Sequence, residues 1–124
     1  MEAAPKKILI VDDDADIREL LNLQLRRAGY DTAFAGDAIS AISAARKESP
    51  DLILLDLGLP GGEGFAVIDR LKAIASLGWI PIVVVSARDA ATNRERSLAA
   101  GAKAFVEKPI DVPGLLAEIE RALG

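Results

Sequence analysis

Four stretches of the chain place polar chemistry directly after an apolar run. Ile8 to Val11 is followed by Asp12, Asp13 and Asp14, Leu52 to Leu55 by Asp56, and Ile82 to Val85 by Ser86; a weaker run, Ala104 to Val106, leads into Glu107, Lys108 and Pro109. If Asp12, Asp13 and Asp56 meet Lys108, carboxylates outnumber ammonium groups and at least one carboxylate pKa must rise unless a counter-charge enters. The chain has no cysteine and no histidine, so any metal must be held by oxygen. Few oxygen donors favour Mg²⁺, a hard octahedral ion that keeps several waters, and Mn²⁺ can substitute. Its open water positions invite a phosphoryl oxygen.

Each feature also has an ordinary explanation. Aspartates before a helix commonly cap it and offset its dipole. Asp56 can begin a turn, Ser86 alone says little, Lys108 alone reads as a solvated charge, and Phe105 reads as core. The glycines at 61, 62 and 64 match neither the dinucleotide nor the P-loop pattern, so this loop is read as a connection. What independent coincidences would rarely produce is four strand-end features in register on one rim.

The elements that must position them follow from periodicity. The runs at Ile8, Leu52 and Ile82 read as strands buried on both faces, and those at Thr32 to Ala35 and Ala104 to Val106 as sheet edges. A first helix is predicted from about Asp14 to Ala28, stopped by Gly29, and a second from the N-cap Asp37 to just before Ser49 and Pro50. A glycine-rich loop, Gly58 to Gly64, precedes a third helix near Phe65 to Ser76. Thr92 and Glu95 have capping-box spacing for a fourth ending near Gly101, and Asp111 caps a fifth ending at Leu123. Alternating strands and helices with short connections predict an α/β fold: a doubly wound, five-stranded parallel sheet in the order 2-1-3-4-5 with five helices. Ligands then bind at the carboxyl ends of the strands, with Asp56 central and Lys108 reaching back from about 10 Å away. That reversal, with the backbone leaving for the fifth helix, predicts a cis Lys108–Pro109 bond.

Composition bounds the rest. With 124 residues, 51% of them hydrophobic, the chain is expected to form a single domain over residues 1–124. No apolar run approaches the ~18 residues of a membrane span, so no membrane insertion is expected. Met1 to Lys7 lacks a secretory pattern, making the cytoplasm the default compartment. A net charge of −4 with 4% aromatics argues against direct nucleic-acid binding.

The sequence resembles the receiver domain of two-component response regulators over essentially its whole length. The matching segments are ILIVDDD at Ile8 to Asp14, DLILLDLGLPGGEG at Asp51 to Gly64, IPIVVVSA at Ile80 to Ala87 and AGAKAFVEKP at Ala100 to Pro109. The resemblance implies a flavodoxin-like receiver fold in which Asp56 is the phosphoacceptor. It implies that Asp12 and Asp13 bind Mg²⁺ with Asp56 and the Gly58 carbonyl, and that Ser86 and Lys108 receive the phosphoryl oxygens. Ser86 and Phe105 then form the switch pair. The implied partners are a sensor histidine kinase or histidine phosphotransfer protein and a downstream target that the sequence does not name. Without histidine of its own, the chain must take its phosphoryl group from another protein or domain.

Some positions depart from the common pattern. Gly58 stands where a larger side chain, often methionine, is usual; Glu63 replaces a frequent aspartate and Ser86 a frequent threonine. Arg88 and Gly58 flank the site where the family modulates attack by water. Lys103 to Glu107 lacks the acidic pair of many receivers that dimerise ahead of a DNA-binding domain. A haloacid-dehalogenase-like phosphatase is the enzyme alternative, but Gly58 occupies the place of its second aspartate. A receiver-shaped module that is never phosphorylated would be expected to lose Asp56, an acidic partner or Lys108, all of which are present. Partners are expected over the rim, near Asp14, Ala15, Arg18, Pro109 and Ile110.

Overall fold

The computed structural model describes residues 4–59, 64–87 and 90–124. Five strands, β1 (Lys7–Val11), β2 (Asp31–Ala35), β3 (Leu52–Asp56), β4 (Ile82–Ser86) and β5 (Ala104–Glu107), alternate with α1 (Ala15–Arg27), α2 (Ala38–Glu48), α3 (Gly64–Ala73), α4 (Ala90–Ala100) and α5 (Val112–Leu123). All strand pairings are parallel and the order is β2-β1-β3-β4-β5. The expected topology and the expected edge strands are both present.

Alternation along the strands divides the core in two. Leu9, Val11, Ile53, Leu55, Ile82 and Val84 face one layer, packed with Ala41, Ile42 and Ala45 of α2 and Val67, Ile68 and Leu71 of α3. Ile8, Ile10, Leu52, Leu54, Val83 and Val85 face the other, against Leu21 and Leu25 of α1 and Leu115 and Ile119 of α5. A strand covered on both faces needs apolar residues throughout, which is why the central strands read as unbroken runs.

Local chemistry sets the helix ends. Asp14 caps α1, its carboxylate accepting from the Asp16 and Ile17 amides, and Gly29, at φ 95°, turns the chain out afterwards. Asp37 and Ser40 form a reciprocal capping box on α2. Three expectations need correction. Helix α4 begins at Ala90, so Thr92 lies in its first turn and is no cap. Helix α3 ends at Ala73, three residues short of Ser76, where the Leu77 and Gly78 amides turn back to the Ile74 carbonyl. Asp111 precedes α5 but makes no side-chain cap bond, and Pro113 in the first turn removes one of the amides a cap could hold. The Lys108–Pro109 bond is cis, as expected.

Candidate functional site

Register brings the polar strand ends together. Val11 pairs with Leu55, so Asp12 emerges beside Asp56; Asp56 pairs with Val85, so Ser86 lies one residue beyond it; Ser86 pairs with Glu107, which places Lys108 at the next step outward. Asp12, Asp13 and Asp56 each offer a carboxylate oxygen within 4.8 Å of the others. Lys108 does reach back: its Nζ lies 3.5 Å from Asp12 Oδ2 and 3.7 Å from Asp56 Oδ1. These are ion pairs held slightly apart, with the ammonium between two carboxylates.

The three consecutive aspartates divide their work. Asp14 caps α1. Asp12 is buried, its Oδ1 accepting the Asp14 amide at 2.9 Å, whereas Asp13 is exposed. Burial pushes the Asp12 carboxyl above its ordinary range; the Asp56 charge adds to this, while the Asp14 amide and the Lys108 ammonium oppose it. A raised carboxylate was the sequence expectation, but desolvation is the larger cause rather than like-charge crowding.

Asp56 Oδ1 also accepts the Gly58 amide at 3.2 Å. A Cβ at Gly58 would stand 3.7 and 3.8 Å from the two Asp56 oxygens, so a larger residue there would cover the carboxylate that glycine leaves open. Ser86 is buried at the end of β4. Phe105 is buried in the core layer under α4; Arg94 lies 5.1 Å from its ring centroid and donates to the Phe105 carbonyl at 3.3 Å. Glu63, Arg88 and the glycines at 61 and 62 lie outside the described residues.

The donor set fits a hard divalent cation: three carboxylates converge without any nitrogen or sulfur ligand, and one ammonium cannot neutralise them. Two contacts had no sequence signature. The Arg94 clamp on Phe105 is one. The other is Arg18, expected on a docking surface, whose Nη1 donates to the Asp12 carbonyl at 2.7 Å. A lone arginine on a helix reads as a solvated charge, and only the fold reveals such an acceptor.

The model of the response regulator receiver domain family matches residues 8–120, and the chain belongs to that family. It is 38% identical over 123 residues to the DNA-binding response regulator MtrA of Mycobacterium bovis, covering 99% of this chain and 53% of MtrA. It is likewise 38% identical to the phosphate regulon transcriptional regulatory protein PhoB of Klebsiella pneumoniae, covering 95% of this chain and 52% of PhoB. The chain thus spans about half the length of the curated relatives it matches. Among solved structures, the chemotaxis protein CheY4 of Vibrio cholerae superposes with a TM-score of 0.90 at 28% identity, covering 97% of this chain and all of CheY4. The receiver domain of the sensor histidine kinase PA1611 of Pseudomonas aeruginosa, solved with a magnesium ion coordinated in its active site cleft, gives a TM-score of 0.88 at 28% identity, covering 98% and 99%. The chain is therefore a receiver domain of the two-component response regulators, a phosphoacceptor switch in a phosphorelay. Membership of the receiver family stands against the dehalogenase-like alternative.

Proposed function

We propose that Asp56 is the phosphoacceptor of this receiver and takes its phosphoryl group from the phosphohistidine of a sensor histidine kinase or histidine phosphotransfer protein. An Asp56 oxygen attacks phosphorus in line, the phosphorus–nitrogen bond breaks, and its electron pair stays on the departing imidazole. Asp12, Asp13, Asp56 and the Gly58 carbonyl would hold Mg²⁺, or Mn²⁺ in its place. A bound divalent cation would neutralise charge on the phosphoryl oxygens. Lys108 acts on the same charge from the β5 side, and Ser86 donates to a phosphoryl oxygen. Positioning and electrostatics are the catalytic means, so the domain promotes its own phosphorylation and dephosphorylation.

The observation that carries this reading is the convergence of three carboxylates and one lysine on one rim, with Asp56 on the middle strand of the sheet. Once Asp56 is modified, Ser86 moves toward the phosphoryl group and Phe105 is held in the space it leaves, biasing the α4 and β5 surface toward a downstream partner. Residues 1–124 act as one cytoplasmic receiver unit that neither binds nucleic acid directly nor inserts in a membrane. No described helix is long and apolar enough to cross a membrane.

The test is incubation with Mg²⁺ and a small acyl phosphate, read by intact mass and peptide mapping. One phosphoryl group is expected on the Asp56 peptide and none on Asp56→Asn, whose amide is no nucleophile. Stoichiometric phosphate on Ser86, or on the Asn variant, would falsify the assignment.

A further inference from the structure

We infer that Arg18 is a positioning residue for the acidic rim, acting through the Asp12–Asp13 peptide, and that Gly36 is small because the Arg18 guanidinium passes over it. This rests on the reading of Asp12, Asp13 and Asp56 as the metal ligands.

The geometry comes from three elements. The Asp12 amide donates to the Ala35 carbonyl at 3.1 Å, tying the end of β1 to the end of β2. On the other side of that residue, Arg18 Nη1 donates to the Asp12 carbonyl at 2.7 Å, a short, charge-assisted bond from the first turns of α1. Asp12 is thus held through both its amide and its carbonyl. That carbonyl belongs to the peptide whose nitrogen is Asp13, so fixing its plane fixes the direction in which the Asp13 side chain leaves. Asp13 needs such help. Asp12 is buried and anchored to the Asp14 amide, whereas Asp13 is exposed.

Gly36 belongs to the same arrangement. A Cβ there would lie 3.3 Å from Arg18 Nη1, close enough to push the guanidinium by a few tenths of an ångström. Gly36 has no left-handed backbone conformation that would otherwise call for glycine. Its smallness is accounted for by the passage of Arg18.

Two physical effects of removing Arg18 have opposite signs, and this makes the idea testable. If Arg18 mattered only as a positive charge near the carboxylates, its loss would strengthen Mg²⁺ binding. If it orients the Asp12–Asp13 peptide, its loss weakens binding, by about tenfold on the scale of outer-sphere contacts that orient metal ligands.

The experiment is calorimetric titration of the whole chain with Mg²⁺ alone, with the melting temperature and the Asp13 amide resonance of each variant measured free of metal. Arg18→Ala is expected to weaken Mg²⁺ binding about tenfold and shift the Asp13 amide, with little change in melting temperature; Arg18→Lys, which keeps a cationic donor, should recover most of the affinity. Gly36→Ala should weaken binding when Arg18 is present and have no further effect in the Arg18→Ala background, the non-additivity expected of two residues in contact. Unchanged or tighter binding by Arg18→Ala overturns the inference while leaving the metal site intact. No Mg²⁺ binding by the wild-type chain overturns the metal-site reading and this inference with it.

Discussion

At the residue scale, Asp12 carries a conflict between charge and burial. Its folded pKa lies above its unfolded value, so the folded state holds a proton more tightly than the unfolded chain does. The sign follows from linkage: as pH rises from the unfolded carboxylate range through the folded pKa, the charge that forms destabilises the fold, and below that range the penalty vanishes. Metal-free Asp12→Asn is therefore expected to melt a few degrees above wild type at neutral pH, with the gap closing as the pH is lowered; Mg²⁺ should narrow it by stabilising only the wild type. Thermal melts across pH, with and without Mg²⁺, check this, and a gap that widens on acidification would reverse the assigned sign. Gly58 gives a second expectation. Because a Cβ there would sit within contact distance of both Asp56 oxygens, Gly58→Met should shelter the modified carboxylate from water and lengthen the phosphoryl lifetime severalfold, measured as phosphate release after the donor is removed. Asp12, Asp13, Asp56 and Lys108 were legible as a cluster because each stands at the polar end of an apolar run. Arg18 and Arg94 were not, since each acts on a main-chain carbonyl and no side-chain pattern marks such an acceptor.

Among the elements, legibility followed the source of each boundary. Helices α1 and α2 start at aspartates whose side chains hold backbone amides, so sequence and structure agree. Asp14→Ala should cost about 1 kcal/mol, seen as a lower melting temperature in the metal-free protein. Thr92 and Glu95 carry the spacing of a cap from inside the first turn of a helix whose opening residues, Ala90 and Ala91, are themselves helical. Helix α4 also holds a cost that no pattern predicts. Ser97 is fully buried, and among the described residues its hydroxyl has no hydrogen-bond partner. An unpartnered buried hydroxyl is unfavourable, so Ser97→Ala should leave stability unchanged or raise it by about 1 kcal/mol. A loss of more than that in denaturant unfolding would mean that the hydroxyl is satisfied.

For the whole molecule, the parallel sheet separates its two ends, and this sets what a spectroscopic probe can see. The topology was legible because alternating runs with short crossovers leave few arrangements, and the strand order then put every polar strand end on one rim. The chain's one tryptophan lies at the opposite end. Trp79 precedes β4, whereas Asp56 pairs with Val85 near the other end of that strand, a separation of about 20 Å at the rise of an extended chain. Trp79 is 64% exposed and its Nε1 donates to the Ser76 carbonyl at 2.8 Å. Mg²⁺ is a closed-shell, redox-inert ion and acts on fluorescence only by altering a ring's surroundings. Saturating Mg²⁺ should therefore leave Trp79 emission nearly constant while calorimetry records binding in the same samples. A marked change in emission would require either a cation site at the amino end of the sheet or a rearrangement carried the full length of β4, and Asp13→Ala separates the two. If the change survives that substitution, the ion binds away from the rim; if it disappears, the rim and the α3–β4 turn move together.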